Sequence, residues 1–421
     1  MYCGSCLRDN SLARALRRLG HEVTLVPVYT PTKTDDANES DGAPVLFGGV
    51  SVYLQQKSAL FRNTPWLLDK LWDSRWALRL AARGSLAVDP ASLGEMMVAM
   101  LEGERGPIAK EFRKLRFWLD RQERPDLLQL PNSLLIALAT AARRCYDGPI
   151  ACTFQGEDLF LRGLPEPYRS RSIELIQAQH ASADAFLSVS RGYAGEMSAL
   201  LGIPREKIHV VPLGVEIAHF EPRCERSDQI FTLGYLARLA PEKGLHLLVE
   251  AWRRFRSEFG GHALLRVAGY LAPEHRPYLE SIRRQLAEWN LAADFEYLGE
   301  LDLAGKRAFL ASLDAFSVPA AYDDPKAIYV LEAMASAVPV AAPRRGALAE
   351  HVVNTGGGIL TEPDDPETLA QALLTLATQP ALRRDLSAAA RSGVQQHYSL
   401  AAMAANTATV YNSLLARPGR S

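Results

Sequence analysis

The sequence predicts an α/β fold made of two domains, each built around a parallel sheet. Strands and helices alternate from residue 126 to 212, which is typical of sheets whose strands are joined by crossover helices. The alternation stops over residues 216–228, which contain Pro222 and show no periodicity, and it restarts at Ile230. A chain of 421 residues is long enough for two domains. We therefore predict a first domain over 1–215, a linker over 216–228 and a second domain over 229–395.

In the first domain, the apolar spacing of residues 10–19 predicts a helix, which Gly20 ends as a C-cap. The next residues, 21–28 (HEVTLVPV), predict a strand, and residues 58–121 are predicted to be mostly helical. The other predicted strands cover 50–55, 126–130, 149–154, 185–189 and 207–212, and the other helices cover 133–145, 174–183 and 193–201.

The second domain is predicted to alternate in the same way. Its most informative helix covers residues 326–337 and ends before Pro339. The predicted strands cover 230–236, 263–268, 294–298, 315–318, 340–343, 350–353 and 358–360, and the other helices cover 244–255, 274–289, 304–312 and the segment that continues to 416.

Composition limits the class of protein. The formal net charge is -1, so there is no global argument for nucleic-acid binding. The longest nearly apolar run, 134–142, is far shorter than the roughly 20 residues that a membrane-spanning helix needs. Five cysteines in a chain of this length do not indicate a disulfide scaffold. We therefore expect a cytoplasmic enzyme.

Residues 323–350 (DDPKAIYVLEAMASAVPVAAPRRGALAE) form the first candidate site. Asp324 is expected to cap a helix whose first residue is Pro325, and the N–H groups of that first turn are expected to bind an anion. Glu332 stands among apolar residues two turns later, so its carboxylate must be paired or must face a cleft. A sugar nucleotide, with its diphosphate and ribose, fits both features. The simpler interpretation is a buried helix with a structurally paired Glu332.

Arg238 and Lys243 form the second candidate site. They lie in a loop between the strand 230–236 and the helix that begins near Gly244. Two cations beside a helix N-terminus, at the carboxyl end of a strand, suit a diphosphate leaving group. A solvated loop is the simpler alternative, because charged residues are usually exposed.

These two stretches resemble the retaining glycosyltransferases of family 4. The spacing from Asp324 to Glu332 is similar to the family's E-x7-E signature, although the family has Glu at the first position. The loop with Arg238 and Lys243 is similar to its Gly-Arg-x4-Lys-Gly pattern. The resemblance implies a GT-B fold, in which two Rossmann-like domains face each other across a cleft, and a last helix, over 396–416, that returns to the first domain.

The resemblance also implies roles for the domains and for particular residues. The second domain would bind a nucleotide-diphosphate sugar, and the first would receive a carbohydrate or lipid acceptor that the sequence does not identify. The sequence has no Asp-x-Asp motif, so transfer without a metal or another cofactor is expected. The implied catalytic residues are Gln155 and Asp324, the donor-binding residues are Arg238, Lys243, Lys326, Ala327, Ile328 and Glu332, and the acceptor-side loop contains Gly4, Glu157 and Asp158.

Gln155 stands where many members of the family have His. An amide donates and accepts hydrogen bonds but does not titrate, so it cannot serve as a general base. The family is usually described as using front-face transfer, in which the leaving phosphate helps to deprotonate the acceptor, and Gln155 would then orient donor or acceptor. A loop-capping Gln155 beside a surface acid pair, Glu157 and Asp158, is an equal alternative.

Other interpretations stay open. Cys3 and Cys6 have the spacing of a redox motif or half a zinc site, but no second pair has that spacing. A nicotinamide dehydrogenase is another α/β interpretation, but no Gly-x-Gly-x-x-Gly sequence follows any predicted strand. Tryptophans and basic residues in 58–121 suit a peripheral contact with the inner membrane face, although helices with a solvated basic face are favoured. Because Asp324 and Gln155 replace the Glu and His of the family, a non-catalytic protein that binds sugar nucleotides is also possible.

The beginning of the sequence leads to one more expectation. A doubly wound sheet places its first strand centrally, and Met1 falls in the turn that should follow that strand. We therefore expect this strand to be missing, with roughly 10 or more natural residues upstream. The strands 21–28 and 126–130 are expected to flank the gap, and direct pairing between them would contradict the idea.

Overall fold

The computed structural model describes residues 4–28, 38–40, 90–222 and 230–417. The chain forms two compact units. The first contains the described parts of Tyr2–Val189, Tyr193–Val211 and Ala404–Ser421, and the second contains Ser190–Gly192 and the described parts of Pro212–Met403. The described residues of each unit form a parallel sheet with helices between its strands, so the predicted α/β class is confirmed.

Among the residues that the structure describes, the sheet of the first unit has four parallel strands in the order β1-β2-β3-β4. Every residue of β2 and β3 is buried, as is usual for inner strands of a parallel sheet. The strands are β1 (Leu128–Leu130), β2 (Ile150–Phe154), β3 (Ala185–Ser188) and β4 (Ile208–Val210). The helices are α1 (Gly4–Arg18), α2 (Pro90–Glu102), α3 (Ala109–Leu119), α4 (Ile136–Ala142), α5 (Asp158–Gly163), α6 (Tyr168–Gln179) and α7 (Arg191–Leu201).

Two predictions for the N-terminal segment are wrong. Helix α1 begins at Gly4 and not at residue 10, so Gly4 is a helical residue and not part of a loop. The predicted strand 21–28 does not form. The guanidinium of Arg17 donates to the carbonyl of Val23 at 3.0 and 2.6 Å, which occupies a group that a strand would use for pairing. Among the described residues, β1 pairs with β2 and with no strand on its other side.

In the described part of the second unit, the sheet has six parallel strands in the order β10-β9-β8-β5-β6-β7. The strands are β5 (Phe231–Leu236), β6 (Ala263–Ala268), β7 (Phe295–Tyr297), β8 (Ala315–Phe316), β9 (Val340–Pro343) and β10 (Gly358–Thr361). The helices are α8 (Leu245–Glu258), α9 (Arg276–Glu288), α10 (Leu303–Ala311), α11 (Ile328–Ala335), α12 (Gly346–Thr355), α13 (Pro366–Thr378) and α14 (Pro380–His397). The last helix, α15 (Leu400–Leu415), begins in the second unit, and its residues from Ala404 onwards belong to the first.

The strand predicted over residues 350–353 is wrong, because this segment belongs to α12. The helix begins at Gly346, and no Gly or Pro interrupts it before Gly356, which ends it with a left-handed φ of 67°. Within it, Val352 is buried and Val353 is 67% exposed, as expected when neighbouring residues point in different directions on a helix.

Helix α8 anchors the loop that carries Arg238 and Lys243. Its buried residues Leu245, Leu248, Trp252 and Phe255 recur at spacings of three and four, which places them on one face. The ring of Phe255 lies 5.6 Å from that of Phe231 on β5. The loop between β5 and α8 is thus held at both ends by buried elements.

Several predictions fall on residues that the structure does not describe. They concern the strand 50–55, Cys3 of the Cys3/Cys6 pair and the first part of the helical region 58–121. The hypothesis of a peripheral membrane contact rests on that same region. Within the described ranges, no helix combines the length and the apolar character needed to cross a bilayer.

Candidate active site

The structure brings together Lys243 and Asp324 at the carboxyl ends of two neighbouring strands. Lys243 follows β5 and Asp324 follows β8, and these strands are paired in the sheet. The Nζ of Lys243 donates to Oδ2 of Asp324 at 2.5 Å. In open α/β sheets this edge is where ligands bind.

Four donors surround the buried carboxylate of Asp324. Oδ1 accepts from the backbone N–H groups of Lys326 and Ala327, each at 3.0 Å. Oδ2 accepts from Lys243 and, at 2.9 Å, from the hydroxyl of Tyr329. Burial works to raise the pKa of Asp324, but the charge of Lys243 and these hydrogen bonds hold it well below its ordinary value. Asp324 is therefore an ionised group whose acceptor sites are all used.

The predicted start of the helix over residues 326–337, with Pro325 as its first residue, is wrong. Helix α11 begins at Ile328, and neither Pro325 nor Lys326 is helical. Because Asp324 binds the amides of Lys326 and Ala327 in a local turn, and Ala327 has a left-handed φ of 41°, the helix cannot begin earlier. Of the three amides expected to bind an anion, only that of Ile328 lies in the first helical turn.

Two tyrosines that the sequence analysis missed complete the surroundings of Lys243. Its Nζ donates to the hydroxyl of Tyr322 at 2.6 Å and lies 4.8 Å from the ring centroid of Tyr322 and 5.1 Å from that of Tyr329. Burial raises the pKa of both hydroxyls, so both tyrosines stay neutral. The only signals in the sequence were Tyr329 within the candidate stretch and Tyr322 immediately before it.

Arg238 differs from Lys243 in its surroundings. Its side chain is 46% exposed and donates to Glu242 Oε1 at 2.6 Å, whereas the side chain of Lys243 is 12% exposed. Such an exposed pair contributes little to stability. Arg238 is therefore a cation that a ligand can recruit at small cost to the fold.

Glu332 is paired with a lysine that the sequence analysis did not consider. The Nζ of Lys306, on α10, donates to Oε1 of Glu332 at 2.5 Å. The Glu332 side chain is 10% exposed. Within the described residues, Oε2 receives no hydrogen bond, so one oxygen of this carboxylate is available to a hydroxyl group.

On the first unit, Gln155, Glu157 and Asp158 follow the carboxyl end of β2. The alternative of a surface acid pair is wrong, because Glu157 and Asp158 are both buried. Glu157 accepts from the backbone N–H of Gln155 at 2.6 Å and from the N–H and hydroxyl of Ser133 at 3.0 and 2.9 Å. Glu157 thus fixes the backbone of Gln155. The Gln155 side chain donates to the carbonyl of Pro131 at 2.8 Å.

Gly244, between Lys243 and α8, gives a direct test of this loop. Its φ is +72°, and a Cβ there would lie 1.9 Å from the carbonyl oxygen of Pro319, in the segment after β8. We expect Gly244→Ala to lower the free energy of unfolding by at least about 2 kcal/mol, measured by urea unfolding. Gly163→Ala is the control, because no atom of the described residues lies within 4 Å of its added Cβ. An equal effect of both changes would contradict the assigned constraint.

Two family descriptions match this chain. A glycosyl transferase 4-like domain covers residues 9–214, and a domain of the glycosyl transferases group 1 covers residues 221–393. The two matches span nearly all of the sequence. The chain is a glycosyltransferase, and it belongs to the family 4 type that pairs these two domains.

Similar sequences also belong to glycosyltransferases. Glycogen synthase from Mycobacterium tuberculosis is 26% identical over 321 residues, which is 75% of this chain and 76% of that protein. The MMP alpha-(1->4)-mannosyltransferase of Mycolicibacterium hassiacum is 31% identical over 234 residues, or 55% of this chain and 54% of that enzyme. These similarities support a sugar-nucleotide donor.

Solved structures give the fold. HepE from Anabaena, solved with UDP and glucose, superposes with a TM-score of 0.61 at 18% identity. The match covers 74% of this chain and 83% of the HepE chain. A glycosyltransferase from Rickettsia africae has a TM-score of 0.62 at 15% identity and covers 99% of this chain and 96% of its own. The predicted GT-B fold, with two Rossmann-like units, is confirmed.

Proposed function

We propose that this glycosyltransferase moves a hexosyl group from a nucleotide-diphosphate sugar to an acceptor, with retention of configuration and without a metal ion. The observation that carries the proposal is the buried Lys243–Asp324 pair, with exposed Arg238 in the same loop, at the carboxyl ends of β5 and β8. Two cations placed there match the charge of a diphosphate. The available oxygen of Glu332 matches a ribose hydroxyl.

Asp324 has a different role in this proposal from the one that the resemblance implies. A carboxylate offers about four lone-pair sites, and all of them are occupied by Lys243, Tyr329 and the amides of Lys326 and Ala327. We propose that Asp324 positions Lys243 and the turn before α11, and that it does not contact the donor sugar.

The proposed reaction needs no titrating base from the protein. The bond between the anomeric carbon and the phosphate oxygen breaks, and its electron pair leaves with the diphosphate. The acceptor oxygen forms its bond to the anomeric carbon on the same face, and its proton passes to the leaving phosphate. Arg238 and Lys243 stabilise the charge that develops on the diphosphate. Gln155, an amide, orients the acceptor.

Arg238→Ala tests this donor site. The variant should fold normally, since Arg238 is exposed, and it should bind a nucleoside diphosphate more weakly by about 1.5–3 kcal/mol, the range for a hydrogen bond to a charged group. UDP, GDP and ADP, and their glucose or mannose conjugates, are titrated by calorimetry, and transfer is followed as nucleotide release.

The matched control is Arg253→Ala, which also removes an exposed arginine paired with a glutamate, Glu250, on α8. Affinity that is unchanged in Arg238→Ala, or reduced equally in both variants, would rule out the assignment of Arg238. A wild-type protein that binds none of these nucleotides would rule out the proposed function.

A further inference from the structure

Arg8 is a buried cation whose hydrogen-bond donors are only partly used. It lies in α1, and 2% of its side chain is exposed. Nη1 donates to Asp9 Oδ1 at 2.7 Å and to Thr153 Oγ1 at 3.4 Å. Within the part of the chain that the structure describes, Nε and Nη2 have no hydrogen-bond partner. Unpaired donors inside a protein are costly, so they call for a ligand.

The two unused donors of Arg8 lie on one edge of its guanidinium. The N–H of Nε and one N–H of Nη2 point in the same direction, and such a pair matches two oxygens of a carboxylate or phosphate. Asp9 fixes the guanidinium from the opposite side through Nη1. Because Asp9 formally neutralises Arg8, recognition of an anion here depends on the shape of this edge more than on net charge.

Asp9 also connects Arg8 to Gln155. The Nε2 of Gln155 lies 3.4 Å from each carboxylate oxygen of Asp9. Gln155 is 4% exposed, and its Oε1 has no hydrogen-bond partner among the described residues. Asp9 thus bridges two side chains with unused groups among the described residues: Arg8 with two donors, and Gln155 with one acceptor.

The side chains around this cluster are held in place by neutral hydrogen bonds. Gln129 Nε2 donates to Thr153 Oγ1 at 3.1 Å, and the hydroxyl of Tyr411 donates to Gln129 Oε1. Burial raises the pKa of Tyr411, which keeps its hydroxyl protonated. This network fixes Thr153 and through it Arg8, as a preorganised binding site requires.

We propose that Arg8 and Gln155 bind an acceptor that carries a carboxylate or phosphate group close to a hydroxyl group. The oxyanion accepts both N–H groups from the free edge of Arg8, and the hydroxyl donates to Oε1 of Gln155. The identification of this ligand as the acceptor rests on the proposed function, but the binding of the anion does not.

The test compares wild type, Arg8→Lys and the control Arg18→Met, which changes an exposed arginine of the same helix. Glucuronate, glycerol 3-phosphate and glucose are titrated by calorimetry. Wild type and Arg18→Met should bind one of the anions at least about tenfold more tightly than glucose. Arg8→Lys keeps the charge but loses the paired edge, so it should bind that anion about 10- to 100-fold more weakly.

A second variant, Gln155→Leu, keeps the proposal testable if Arg8→Lys does not fold. It should weaken binding of glucuronate and glycerol 3-phosphate, which carry alcohol hydroxyls beside the oxyanion, and leave binding of inorganic phosphate, which has no alcohol group, unchanged. The relative affinities for the two anions distinguish a carboxylate from a phosphate ligand. Anion binding that is no tighter than glucose binding in wild type, or that survives both substitutions, would overturn the proposal.

Nucleotide binding separates this proposal from the proposed function. UDP and GDP are titrated into the same variants, and Arg8→Lys should retain the wild-type affinity for them. Loss of anion binding together with intact nucleotide binding supports the acceptor site. If wild type binds no nucleotide, the donor site is contradicted, and the proposed anion site is not affected.

Discussion

Lys243→Met is expected to cost about 3–5 kcal/mol of unfolding free energy, because it leaves the buried carboxylate of Asp324 without its cation. It should also weaken nucleoside diphosphate binding by about 1.5–3 kcal/mol, since a charged contact to the ligand is lost. Urea unfolding and calorimetric titration with UDP and GDP measure the two effects. Lys114→Met is the control, because Lys114 also pairs with a buried carboxylate, Glu111, but on α3 of the first unit.

The loss of stability in Lys243→Met should depend on pH in a definite direction. The folded-state pKa of Asp324 lies below its unfolded value of about 3.9, so its contribution to stability is present above that pH and is lost as the pH falls towards the folded-state pKa. In Lys243→Met, burial is no longer offset by the lysine, and the pKa of Asp324 should rise. The difference in stability between wild type and variant should therefore shrink below about pH 4. A difference that stays constant or grows on acidification would show that the pair does not account for the effect.

Glu332→Gln is expected to weaken nucleoside diphosphate binding by about 1.5–3 kcal/mol, because a carboxylate accepts a hydroxyl more strongly than an amide does. The measurement compares UDP with its 2′-deoxy and 3′-deoxy forms. Wild type should discriminate against at least one deoxy form, and Glu332→Gln should bind it and UDP almost equally. The change also removes the negative charge that faces Lys306, so stability is measured in parallel.

Glu296→Gln is the control for that loss of an ion pair, since Glu296 pairs with Arg266 on neighbouring strands of the same sheet. It should leave the preference for the ribose hydroxyls intact. If Glu332→Gln discriminated between UDP and the deoxy forms as strongly as wild type does, Glu332 would be a structural partner of Lys306 and not a ribose ligand.

The sequence was informative where a feature depends on near neighbours in the chain. The strand 263–268 was predicted with its observed bounds, because it is a mostly apolar run with glycines shortly before it and directly after it, and both signals are local. The position of Lys243 in a loop after β5 follows from the end of an apolar run and the following glycine. Periodicity and turn residues are sufficient for such elements.

The sequence was uninformative where a partner comes from a distant segment. The pairing of Lys243 with Asp324 depends on β5 lying next to β8, an order that no local pattern encodes. The pairing of Lys306 with Glu332 likewise joins two different helices. Residues 21–28 are rich in β-branched residues, as in a strand, yet the side chain of Arg17 donates to a backbone carbonyl there. Arg8 lies before the predicted start of the first helix, and no local pattern indicates that its side chain is buried.

The contact between Tyr329 and Asp324 has a consequence for the evolution of this protein. Asp is one methylene shorter than the Glu expected at this position, and the hydroxyl of Tyr329 reaches its Oδ2 at 2.9 Å. A longer acid at position 324 would have to displace that hydroxyl, so the two positions should change together in descent. Homologues with a glutamate at position 324 are expected to carry a smaller residue without a hydroxyl at position 329. Reconstructed ancestors that combine a glutamate at the first of these positions with a tyrosine at the second should be less stable than either matched pair.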